Sequence, residues 1–147
     1  MSIKNVSFIG LGVMGYPMAG HLQNNGYNVT VYNRTTVKAE KWVEEYKGSM
    51  AKTPGEASQN SEIVFMCVGR DEDIIEVMEG EDGILSKVSE GSIIVDHTTA
   101  SAEIARNYYQ KLKDKKLSFL DAPVSGGQAG AELSLIHISE PTRPERI

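Results

Sequence analysis

The chain has 147 residues, 40% hydrophobic and 24% charged, with 15 Lys and Arg against 20 Asp and Glu and a formal net charge of −5. That length and balance describe one ordinary globular domain with a sizeable core. They argue against a nucleic-acid partner, which needs clustered Lys and Arg, and no apolar run reaches the roughly 20 residues that span a bilayer.

Residues 4–9, KNVSFI, read as a short apolar strand running into Gly10. Met14, Met18 and Leu22 then recur at i, i+4 and i+8, which lines one face of a helix, and Gly26 suits its C-terminal cap. Residues 28–32, NVTVY, alternate and are rich in β-branched side chains, so they predict a second strand. A helix over 36–47 carries Ala39, Trp42 and Val43, and Pro54 opens a short helix over 54–60. The continuous apolar run 62–68, EIVFMCV, suits a strand buried on both faces, as in parallel sheets. A helix over 72–79, a turn at Gly83, a buried strand over 92–95, a helix over 101–116 and a strand over 117–121 complete the series. This alternation predicts an α/β fold, a doubly wound parallel sheet covered by helices and incomplete at its C-terminal end.

Lys111, Lys113, Lys115 and Lys116, beside Asp114, read as a solvated helix end. Cys67 is the only cysteine, so an internal disulfide is excluded; at the end of an apolar strand it reads as a small core residue. His97 reads as a loop histidine without a positioned partner, and His21 as lying on the outer face of the first helix. The N-terminal residues show no secretory signal, which makes the cytoplasm the expected compartment. Residues 133–147, LSLIHISEPTRPERI, continue no earlier pattern. Their first eleven match the translation of a sequencing-library adapter. We therefore expect one nucleotide-binding domain over 1–132 and a non-native tail over 133–147.

Gly10-Leu11-Gly12-Val13-Met14-Gly15 is a G-x-G-x-x-G segment that closes a strand and opens a helix. In a Rossmann-type fold that spacing has a physical basis. The first glycine permits the tight turn, the second lets a pyrophosphate approach the backbone, and the third lets the helix pack closely on the strand. Unpaired N–H groups at the positive helix end then bind the anion. The second strand ends at Asn33-Arg34-Thr35. An NAD-binding protein often places Asp or Glu there for the ribose 2′-hydroxyl. Arg34 can instead pair with a 2′-phosphate, while Thr35 offers a hydroxyl and a possible helix cap. NADP(H) is thus the expected cofactor, with NAD(H) disfavoured.

At these residues the chain resembles the β-hydroxyacid dehydrogenases, a family that includes 3-hydroxyisobutyrate dehydrogenase and tartronate semialdehyde reductase. Phe8-Ile-Gly-Leu-Gly-Val-Met-Gly-Tyr-Pro-Met18 is similar to the family's F-I-G-L-G-x-M-G-x-P-M. Asp121-Ala-Pro-Val-Ser-Gly-Gly127, followed by Gly130-Ala131, is similar to its D-A-P-V-S-G-G-x-x-G-A. The resemblance covers residues 3–132. It implies that Ser125, Gly126 and Gly127 hold a substrate carboxylate, that Thr99 lies near the nicotinamide ribose, and that Cys67 and Val68 line the cofactor. The chain departs from the family at Cys67-Val68-Gly69, which stands for L-P-N, at Thr98 in place of Ser, and at Ala102 in place of Pro.

The implied reaction is hydride transfer between nicotinamide and a small carboxylate-bearing hydroxyacid or semialdehyde, in a homo-oligomeric parent. The family's proton-handling lysine lies beyond the D-A-P-V-S-G-G segment, so no catalytic residue and no metal site are assigned to this chain, which is expected to be inactive alone. The alternatives are a non-catalytic NADP(H)-binding module, an imine reductase, and a 6-phosphogluconate dehydrogenase relative, whose loop typically has Ala where this chain has Gly12.

Overall fold

The computed structural model describes residues 4–98 and 102–122. Strands and helices alternate as β1 (Asn5–Ile9), α1 (Gly15–Asn24), β2 (Asn28–Tyr32), α2 (Thr36–Tyr46), β3 (Ser49–Met50) and α3 (Pro54–Ser58), then β4 (Ile63–Met66), α4 (Asp71–Glu79), α5 (Ile84–Lys87), β5 (Ile93–Asp96), α6 (Ala102–Lys113) and β6 (Ser118–Asp121). The six strands form one sheet in the order β3-β2-β1-β4-β5-β6, and every pairing is parallel. This is the Rossmann-type α/β arrangement. The winding direction reverses between β1 and β4, and ligands of such sheets bind outside the carboxyl ends of the strands at that point.

The register sets Phe8 beside Val31 on one side and Phe65 on the other. Because side chains alternate across a strand, the sheet has two apolar faces. Val6, Phe8, Val31 and Phe65 pack with Met18, Leu22 and Trp42 beneath α1 and α2. Ile9, Val64, Met66 and Ile94 pack with Ile74, Met78, Ile84 and Leu112 beneath α4, α5 and α6. Both faces of the central strands are thereby covered, which explains why the run over β4 is apolar at every position.

Local geometry departs from the sequence-based expectations at several points. The strand expected over 62–68 ends at Met66. The Cys67 N–H still donates to Ile9 O, but the Val68 N–H is taken by the Thr98 hydroxyl, so the chain leaves the sheet. Thr35 occupies the N-cap position of α2 without its hydroxyl accepting a helix N–H. Thr53 does make such a cap on α3, accepting from Glu56 N at 3.1 Å. Gly26 follows the α1 cap residue Asn25 and adopts φ +97°, a conformation that favours glycine. Strand β3 and helix α5 were not anticipated, being two and four residues long. The lysine cluster is not wholly solvated, since Lys111 pairs with Glu79 on α4. No described helix is long and apolar enough to cross a membrane.

Candidate functional site

The glycine loop joins β1 to α1 at the carboxyl end of the sheet, and its three glycines do different things. Gly10 has φ +102°, and a Cβ there would lie 2.3 Å from the Cys67 carbonyl oxygen. A Cβ on Gly15 would lie 2.0 Å from Gly10 O and 3.1 Å from the Phe8 ring. Both positions are closed by backbone, so both glycines are required by the fold itself. A Cβ on Gly12 would meet nothing within 4 Å. Gly12 faces open space, as a cradle for a bulky anion requires; at the start of α1, Tyr16 donates its N–H to Gly12 O at 3.0 Å and Pro17 has no N–H, so an anion there would meet the N–H groups of the loop itself. Leu11 is buried and Val13 is exposed, so Val13 is the loop side chain that reaches outward, while Met14 is partly buried at the N-cap of α1.

A cleft of about 680 Å³ runs from this loop across the ends of β2 and β3 on one side and α4 on the other. It brings together Gly10 to Gly15, Asn33 to Thr35, and Cys67 and Val68, all of which the sequence had singled out. Asn33 has a structural task within it. Its Oδ1 accepts from Leu11 N at 2.8 Å and its Nδ2 donates to Thr35 O at 3.1 Å, tying the glycine loop to the end of β2. Arg34 extends over the cleft mouth and pairs with two carboxylates of α4, Asp73 and Glu76, each at 3.2 Å. Lys52 also lines the cleft and was missed by sequence reasoning. It follows the end of a parallel strand, where ligands of such sheets bind, but a two-residue strand leaves no periodic signal.

At the inner end of the cleft, the Cys67 thiol is pushed up to about 11 by burial and then by the negative charge of Asp96. It therefore stays protonated at neutral pH and is a poor nucleophile. The next loop is held by hydrogen bonds. Thr98 Oγ1 accepts from Val68 N at 2.9 Å, and Asp96 Oδ1 accepts from Thr98 N at 2.9 Å. Among the described residues, no group of His, Cys, Asp and Glu is placed to hold a metal ion. Thr99, Ser125, Gly126 and Gly127 lie outside the described residues.

His97 differs from the loop histidine expected. It is buried, its Nδ1 sits 2.7 Å from the Ala122 carbonyl, and its ring stacks on Phe65 at 5.9 Å. A carbonyl can only accept, so Nδ1 carries the proton. Burial pushes its pKa below the ordinary 6.5, partly offset by the bond to Ala122. The unfolded chain therefore binds a proton that the folded one refuses, and stability is lost as the pH falls below 6.5. We expect the melting temperature to drop between pH 7.5 and pH 5.5. Glu62 and Glu79, whose carboxyls are lowered from 4.5 by their hydrogen bonds, act only at lower pH. Thermal melts of His97→Gln should flatten this window; a slope unchanged by the substitution would assign it elsewhere.

The family model described as the NAD binding domain of 6-phosphogluconate dehydrogenase matches residues 5–139. An uncharacterized oxidoreductase of Shewanella frigidimarina is 58% identical over 130 residues, 88% of this chain and 45% of that protein. The matched segment thus spans less than half the length of that relative. Among solved structures, Mycobacterium tuberculosis 3-hydroxyisobutyrate dehydrogenase with L-serine superposes with a TM-score of 0.78 at 25% identity, covering 90% of this chain and 44% of that one. Psf3 in complex with NADP+ and 2-OPP superposes with a TM-score of 0.79 at 28% identity, covering 87% and 45%.

Proposed function

This chain belongs to the family of NAD-binding domains of 6-phosphogluconate dehydrogenase, and from that premise we propose that it binds NADP(H) in preference to NAD(H), as the cofactor half of an oxidoreductase acting on a small β-hydroxyacid or semialdehyde. The observation that carries this reading is the open space above Gly12, at the head of a cleft that ends at Arg34. A pyrophosphate fits where a side chain is missing, and the guanidinium at the far end suits a 2′-phosphate.

A bound nicotinamide supplies hydride transfer; the protein supplies binding and orientation. Gly10, Leu11, Gly12, Val13, Met14 and Gly15 shape the cradle, and Asn33 fixes it to β2. Arg34 and Thr35 face the ribose end, while Cys67 and Val68 flank the inner end. We assign Thr99 to the nicotinamide ribose and Ser125, Gly126 and Gly127 to a substrate carboxylate, on the strength of the D-A-P-V-S-G-G resemblance. No described residue is assigned to proton transfer, since the Cys67 thiol stays protonated and His97 is buried against Ala122.

Fluorescence titration with NADPH and NADH tests the preference. Loss of one charge-assisted phosphate contact costs about 1.5–3 kcal/mol, so Arg34→Ala should weaken NADPH about tenfold or more and leave NADH nearly unchanged. Equal affinity of the unmodified chain for both cofactors would refute the preference.

A further inference from the structure

Arg34 does not stand free at the cleft mouth. One of its terminal nitrogens, Nη2, lies 3.2 Å from both Asp73 Oδ1 and Glu76 Oε2. Asp73 is held in place, because its Oδ2 accepts from Arg70 N at 3.1 Å at the start of α4. Glu76 follows three residues later on the same helix face, two-thirds exposed. Both carboxylates thus converge on the guanidinium from across the cleft.

We propose that Glu76, seconded by Asp73, is a specificity-determining residue that competes with a 2′-phosphate for Arg34 and so restrains the preference for NADP(H). The inference rests on the cofactor reading above. A 2′-phosphate carries a charge of about −1.5 to −2. To reach Arg34 it must displace Glu76 or accept its repulsion. A ribose 2′-hydroxyl carries no charge and can donate to a carboxylate. In NAD-binding proteins that carboxylate usually stands at the end of the second strand. Here α4 brings one to the same mouth from the opposite wall, beside the arginine that would select the phosphate. Glu81 and Asp82 also line the cleft, against Lys52 as the further cation. The cleft is therefore lined by more acidic than basic side chains, although Asn33-Arg34-Thr35 alone points the other way.

Glu76→Gln tests this with little change of shape, and its exposure makes the substitution mild. The unmodified chain, Glu76→Gln and Asp73→Asn are titrated with NADPH and NADH, and calorimetrically with 2′,5′-ADP and 5′-ADP, which isolate the adenosine end. Removing the Glu76 charge should tighten NADPH and 2′,5′-ADP by roughly 3–10-fold, with NADH and 5′-ADP changing less than about twofold. Raising the salt should shrink the gain, because the pair is exposed. Asp73→Asn, whose amide oxygen can still cap α4, should shift the ratio the same way. An unchanged NADPH-to-NADH ratio in Glu76→Gln, or an equal shift of both cofactors, overturns the inference. If that happens while Arg34→Ala still weakens NADPH, the cofactor reading stands and this inference alone fails. If the unmodified chain binds neither dinucleotide, both fall.

Discussion

Gly12→Val is expected to remove dinucleotide binding and leave the fold intact. The position has room, since a Cβ there meets nothing within 4 Å. Its backbone also lies outside the positive-φ region adopted by Gly10, Gly26 and Gly91, so a side chain adds no backbone strain. What a valine would fill is the space in which a pyrophosphate meets the loop and the start of α1. Losing two charge-assisted hydrogen bonds costs about 3–6 kcal/mol, which weakens binding by at least ~100-fold. The melting temperature should stay within about 2 °C of the unmodified chain, as for surface substitutions that disturb no packing. The two measurements are NADPH fluorescence titration and a thermal melt on the same sample. Retained NADPH binding in a folded Gly12→Val protein would sink the cradle assignment.

Gly15→Ala is expected to do the opposite, destabilising the fold itself. The added methyl would sit 2.0 Å from Gly10 O, well inside contact distance, and 3.1 Å from the ring of fully buried Phe8. Neither neighbour can yield cheaply. Gly10 is already pinned at φ +102° beneath Cys67, with its N–H donating to Tyr32 O, and Phe8 lies in the central strand against Phe65. Helix α1 must therefore move off β1, opening the layer that Met18 and Leu22 close. Overpacking at a backbone contact costs about 3 kcal/mol or more, a fall in melting temperature of roughly 10 °C. A melting temperature unchanged in Gly15→Ala would show that the loop is looser than the geometry implies.

The contrast between these two glycines was only half legible in the sequence. The G-x-G-x-x-G spacing assigns both tasks by position, because a strand-turn-helix around a phosphate has few solutions. Which glycine is closed by backbone and which faces open space is a matter of distances. The same division runs through the rest of the site. Arg34 was visible as the basic residue ending the second strand, and the absence of an acid there was visible too. Its partners were not, because Asp73 and Glu76 stand 39 and 42 positions further on. Asn33 reads from the sequence as a cofactor contact; that its side chain also ties the loop to β2 is visible only in the structure.

The sequence by itself determined the alternation of strands and helices, since periods of 2 and 3.6 and the glycine and proline signals are local and survive in a linear reading. It determined the parallel sheet, through the unbroken apolar run of β4, and the glycine-rich turn at its carboxyl end. Only the tertiary structure decided what depends on distant segments meeting. It paired the two residues of β3 with Thr30 and Val31, too short a strand to show any period. It buried His97 between Phe65 and the Ala122 carbonyl, 25 residues away. It set the carboxylates of α4 against Arg34, so that the charge met at the cleft mouth is the sum over two walls. The physical reason is the same in each case. Periodicity is a property of neighbours along the chain, whereas burial and ion pairing are fixed by which segments the folded sheet places across a few ångströms of space.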